Sequence, residues 1–91
     1  MERAWVLINA SSEDVAKELV DHISAIRGVR LVDLVRGQFS LLVAVQIRDE
    51  EDLAQAIEAI RQLEGVEQVQ VCDVIASQRV MTTRDSDPGW P

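Results

Sequence analysis

Residues 29–47 read VRLVDLVRGQFSLLVAVQI, and the way this stretch folds decides everything around it. After Gly37, the residues Phe39, Leu41, Val43, Val45 and Ile47 fall on alternate positions, with Ser40, Leu42, Ala44 and Gln46 between them. A period of two is the signature of a strand. Before Gly37, Val29, Leu31, Asp33 and Val35 alternate with Arg30, Val32, Leu34 and Arg36, which makes a second strand with apolar residues on both faces. Two strands around a short polar break containing glycine form a hairpin. Gly37-Gln38 supplies its turn, because glycine reaches positive φ without a Cβ penalty.

Helical spacing flanks this hairpin on both sides. Upstream, Val15, Leu19, His22 or Ile23, and Ile26 form a stripe over residues 12–27. Ser11 or Ser12 caps it, Glu13 and Asp14 favour its first turn, and Gly28 ends it as a C′ residue. Downstream, Asp49 caps a second helix with the stripe Leu53, Ala56, Ile57, Ile60 and Leu63, closed by Gly65. Outside the helices lie two more strands. One covers residues 3–9 around Trp5-Val6-Leu7-Ile8, and the other runs from Val66 to about Ile75. The junctions Ile26-Arg27-Gly28-Val29 and Leu63-Glu64-Gly65-Val66 echo each other, so one unit is used twice. The order is an α+β, ferredoxin-like βαββαβ sandwich with both helices on one face of a four-stranded sheet. Residues 1–76 make the domain, and 77–91, polar and holding both prolines, make a flexible C-terminal extension.

The uncovered sheet face is expected to be apolar. Alternation assigns Val32, Leu34, Leu42 and Ala44 to it, and monomers avoid exposing such a patch. A second copy about a two-fold axis covers it most simply, so these four residues are the expected dimer interface.

Composition excludes several functions. Nine basic residues stand against sixteen acidic ones, a formal charge of −7. The basic residues are scattered, so direct nucleic-acid binding and adhesion to an anionic membrane are not expected. Cys72 is the only cysteine and His22 the only histidine, too few for a zinc site. Neither has a sequence neighbour that activates it. The cluster Asp49-Glu50-Glu51-Asp52 lacks the spacing of a calcium loop and reads as the acidic first turn of a helix. No catalytic residue, metal site or cofactor is expected, and the chain is not read as an enzyme. Without a signal peptide or a run of transmembrane length, the expected location is cytoplasmic.

Residues 4–75 resemble the effector domain of the leucine-responsive and asparagine-sensing transcription regulators, known as the regulation of amino-acid metabolism domain. The opening Ala4-Trp5-Val6-Leu7-Ile8, the two Gly-Val junctions and the hairpin Val35-Arg36-Gly37-Gln38-Phe39-Ser40 carry the resemblance, in the family's order and spacing. It implies dimers paired sheet to sheet, association of dimers into rings, and a small effector, usually an amino acid, bound near the hairpin. By match to the motif, the ligand-binding residues are Gly37, Gln38, Phe39 and Ser40. Partners implied are further copies of the chain and full-length regulators of the same family. The helix-turn-helix domain that normally precedes this unit is not seen, so the chain resembles the stand-alone members. Ser40 stands where the family usually has aspartate, and a hydroxyl is a poorer partner for an ammonium than a carboxylate. The alternative is a purely structural oligomerisation protein whose hairpin is only a turn.

Overall fold

The computed structural model describes residues 2–78 and residue 80. Six elements follow one another: β1 (Glu2–Ala10), α1 (Glu13–Ser24), β2 (Val29–Leu34), β3 (Leu41–Ile47), α2 (Glu50–Arg61) and β4 (Val66–Asp73). The sheet has the order β2-β3-β1-β4, with all three pairings antiparallel. The expected sandwich is therefore observed. Arg79 and most of the expected extension, residues 81–91, lie outside the described residues. No helix among the described residues is long and apolar enough to cross a membrane.

The two helices start with the residues that the sequence nominates. Ser12 Oγ accepts the Val15 N–H at 3.1 Å, and Asp49 Oδ1 accepts the Asp52 N–H at 2.9 Å. Each satisfies one of the donors a helix start leaves unpaired. Asp49→Ala is expected to cost about 1 kcal/mol, read as a lowered urea midpoint with an unchanged slope.

The helices end earlier than the sequence suggests, at Ser24 and Arg61 rather than at the glycines. Ala25 and Gln62 are the C-caps, and a tight turn follows each. Ile26 N–H donates to Ile23 O and Val29 N–H to Ile26 O; in the second unit, Leu63 N–H donates to Ile60 O and Val66 N–H to Leu63 O. Gly28 and Gly65 reach φ of 94° and 97° to close these turns. Each glycine carbonyl then accepts from a neighbouring strand end, Gly28 from Gln46 N–H and Gly65 from Ser11 N–H. Glu13–Ser24 and Glu50–Arg61 are both 12 residues long and start 37 positions apart, as do β2 and β4. The repeat is thus a three-dimensional one, and it runs without an insertion from the helix starts through the strands that follow.

The core is one layer between sheet and helices. Ala4, Val6, Ile8, Leu41, Val43, Val45 and Ile47 point into it from the two central strands. Ala16, Leu19, Ile23, Ala56 and Ile60 meet them from the helices. β3 alternates buried and half-buried without a break, as its sequence predicts.

β2 corrects the sequence reading. Its register with β3 shifts between Val29 and Leu31. Val29 pairs with Val45 on the helix side, Leu31 with Ala44 on the open side, and Val32 and Leu34 with Val43 and Leu41, again on the helix side. Val32 and Leu34 are therefore not on the open face to which alternation assigned them. The irregularity adds one residue and flips the parity of the strand. A strand apolar on both faces gives no signal of that flip.

The open face is built in rows that cross the sheet. Leu31, Ala44, Trp5 and Cys72 are successive cross-strand partners in one row, and Asp33, Leu42, Leu7 and Gln70 in the next. Asn9 and Gln68 follow, the Asn9 amide donating to Gln68 Oε1 at 3.1 Å. Leu42 and Ala44 are on this face as expected, and Trp5, Leu7 and Leu31 join them in place of Val32 and Leu34.

Candidate functional site

The β2–β3 hairpin closes on Val35 and Ser40, with the Val35 N–H donating to the Ser40 carbonyl at 2.9 Å. Arg36 to Phe39 form the tip, and Gly37 sits at φ 151°. Ser40 also ties the tip to the end of β1. Its N–H donates to the Ile8 carbonyl at 2.9 Å, and its Oγ accepts the Ala10 N–H at 3.2 Å. The hydroxyl therefore satisfies a backbone donor at the point where the chain leaves β1 for α1.

This arrangement encloses a crevice of about 240 Å³ between the hairpin and the first turn of α1. Gly37, Phe39 and Ser40 line it from the hairpin, with Leu34 beneath. Gln38 does not; it is exposed at the tip. Of the four residues the sequence nominates, three are brought together and one is not.

The opposite wall was not legible in the sequence. The N-cap Ser12 with Glu13 and Ala16 of α1 form it, and Arg36 returns from the hairpin. Arg36 Nη2 lies 3.5 Å from Glu13 Oε2, and Lys17 Nζ lies 3.7 Å from the same oxygen. The Arg36 side chain is 89% exposed. An ion pair this open contributes little to stability, so both charges remain available to another partner. A carboxylate and a guanidinium on facing walls suit a zwitterion, one for the ammonium and one for the carboxylate. The apolar lining of Leu34, Phe39 and Ala16 suits a side chain.

A family model matches residues 3–84, described as the Lrp/AsnC ligand binding domain. The chain belongs to that family. The Lrp/AsnC ligand binding domain is a regulatory module that binds effectors and oligomerises, and it is not a catalyst. A crystal structure of the Thermus thermophilus protein TTHA0845 is 27% identical, with a TM-score of 0.80 over 88% of this chain and 100% of that one. A Neisseria meningitidis transcriptional regulator, solved in complex with L-methionine, shares the fold at 13% identity, with a TM-score of 0.76 over 92% of this chain and 56% of its own. Homocitrate synthase of Saccharolobus islandicus is 33% identical over 63 residues, which are 69% of this chain but 14% of the enzyme. The chain thus spans only a small part of the curated relative it matches.

Proposed function

We propose that this Lrp/AsnC domain binds an amino-acid-type effector in the crevice between hairpin and α1, and couples that binding to assembly. The observation that carries the reading is the facing pair Glu13 and Arg36 beside an apolar lining. In the usual family pattern an aspartate follows the aromatic of the hairpin. Ser40 occupies that position here, and Glu13 supplies the carboxylate from the other wall. The L-methionine held by the Neisseria relative supports an amino acid as the class of ligand.

Assembly starts with a dimer. The rows Leu31-Ala44-Trp5 and Leu42-Leu7 leave an apolar centre on the open face, with Asp33, Asn9 and Gln70 around it. An apolar centre with a polar rim is the anatomy of a protein interface, and a two-fold pairing of like faces closes it. Dimers associating near the hairpin tips bring the exposed Gln38 of one subunit towards the crevice of the next. The regulated partners are proteins carrying the same type of domain, including full-length transcription regulators in the cytoplasm. The similarity to homocitrate synthase favours a second reading, in which such a domain serves an enzyme instead.

Calorimetry at fixed subunit concentration, across the twenty amino acids, tests the site. Ser40→Asp is expected to raise the affinity for at least one of them about tenfold, or ~1.4 kcal/mol, because it adds a second carboxylate for the ammonium. Its new oxygen can still accept the Ala10 N–H. No heat from either protein, with assembly intact, leaves the hairpin a turn and the domain a scaffold.

A further inference from the structure

A cleft of about 440 Å³ is at the opposite end of the sheet from the hairpin. It opens between the Gly28 turn, the end of β3 and one face of α2. The internal repeat supplies a control for it. Moving every position by 37 lays this cleft onto a second one, about 300 Å³, beside the Gly65 turn. What the fold alone makes should be common to both, and what differs belongs to the sequence.

Two things differ. The first is space. Val15, Leu19 and His22 of α1 line the smaller cleft, and their counterparts in the larger one are Asp52, Ala56 and Ala59. Val15 presses so closely on Gly65 that a Cβ there has no room, whereas the nearest atom to a Cβ on Gly28 is Gln46 O, at 3.2 Å. The second is charge. The smaller cleft carries Glu18 and Glu64 and neither lysine nor arginine. The larger has Gln55 and Arg27 at those two places, and adds Arg30 and Arg48. Three arginines therefore meet a single aspartate in a chain of net charge −7.

The ion pairs among the described residues are Lys17 and Arg36 with Glu13, so these three arginines have no ion-pair partner there. The carboxylate next to Arg48, that of Asp49, is engaged with the Asp52 N–H. Guanidinium groups are matched to carboxylates by their fork of donors. Arg27 and Arg30 come from one junction and Arg48 from another. Ile26, Ile47, Ala56 and Ala59 make the cleft apolar between them. Three guanidinium groups from two neighbouring segments, beside this apolar lining, fit an anion that carries two carboxylates on a short hydrocarbon spacer.

We propose that this cleft is a second ligand site, separate from the hairpin crevice, and that it takes a short-chain dicarboxylate. One carboxylate is held by Arg27 and Arg30, the other by Arg48, and Gln46 and Gln55 offer hydrogen bonds along the length. Occupancy here braces the Gly28 turn against the end of β3.

Titration calorimetry with glutarate tests this, with glutaramide and inorganic phosphate as parallel probes. The wild-type chain is expected to bind glutarate saturably and glutaramide not at all. Arg27→Glu with Arg30→Glu, which makes the junction like its counterpart Glu64 and Glu67, is expected to weaken glutarate at least tenfold. Arg48→Gln is expected to weaken it as well, which gives a second reading should the double reversal fail to fold by circular dichroism. Arg36→Gln, at the hairpin crevice, is expected to leave glutarate unchanged while weakening any amino acid bound there. The proposal is overturned if glutarate gives no saturable heat, if phosphate binds more tightly than glutarate, if the arginine variants bind as the wild type does, or if Arg36→Gln alone removes the binding.

Discussion

Leu42→Asp is expected to yield a folded monomer where the wild-type chain sediments as a dimer or larger species. Leu42 is half-buried in the centre of the open face, between Leu7 on β1 and Asp33 on β2. In the paired state its replacement would bury a carboxylate beside leucines, with the Asp33 carboxylate as its lateral neighbour. Burying an unpaired charge costs several kcal/mol, and like charges directly opposite on a sheet add to that cost. A penalty of about 4 kcal/mol raises a dissociation constant roughly a thousandfold. In the monomer the same aspartate is solvated, and the core on the other side of the sheet is untouched. Equilibrium sedimentation with far-ultraviolet circular dichroism separates the two effects. A stable wild-type monomer at micromolar concentration would refute the pairing of open faces.

The second large effect is expected at Gly65. A Cβ built there runs into Val15 Cγ1, and the backbone has φ 97°. Overpacking and left-handed strain together are expected to cost about 2–4 kcal/mol in Gly65→Ala. At Gly28 the nearest atom is Gln46 O at 3.2 Å, and at Gly37 nothing lies within 4 Å. The urea midpoints of the three alanine variants, at one subunit concentration, should therefore fall in the order Gly65 lowest, then Gly28, then Gly37. Val15→Ala in the Gly65→Ala background should recover the steric part, so the two substitutions couple rather than add. Equal losses at Gly65 and Gly37 would show that strain alone, and not the close approach of α1, makes the glycine necessary.

The sequence made some of this visible and hid the rest for physical reasons. β3 was legible because it is central and buried on one face, so its alternation has no exceptions. The caps Ser12 and Asp49 were legible because capping is local. The face of β2 was not, because an irregularity near Arg30 shifts the register and both sets of residues are apolar. That error moved Val32 and Leu34 to the wrong side and left Trp5 and Leu7 unnoticed, although β1 lies between β3 and β4. In the crevice, Gly37, Phe39 and Ser40 were found through the motif. Glu13 was missed because its link to Arg36 joins residues far apart in the chain, and nothing local announces it. The three arginines looked scattered in sequence, and only the turn at Gly28 and the end of β3 gather them.

The order β2-β3-β1-β4 has a consequence for how the molecule comes into being. Each repeat contributes two strands, β1 and β2 or β3 and β4, and in neither repeat do those two strands pair with each other. All three ladders run between the repeats. A chain cut at the hairpin tip would give two halves, each with a helix and two strands but without a single ladder, and lone strands of this kind do not persist in water. Neither half is an independent folding unit. Mixed together, the halves can supply each other's missing hydrogen bonds, and association and folding then become one concentration-dependent event. In the intact chain the β2–β3 ladder closes locally across the hairpin, whereas the β1–β3 and β1–β4 ladders must wait for longer loops to close, at a greater entropic cost.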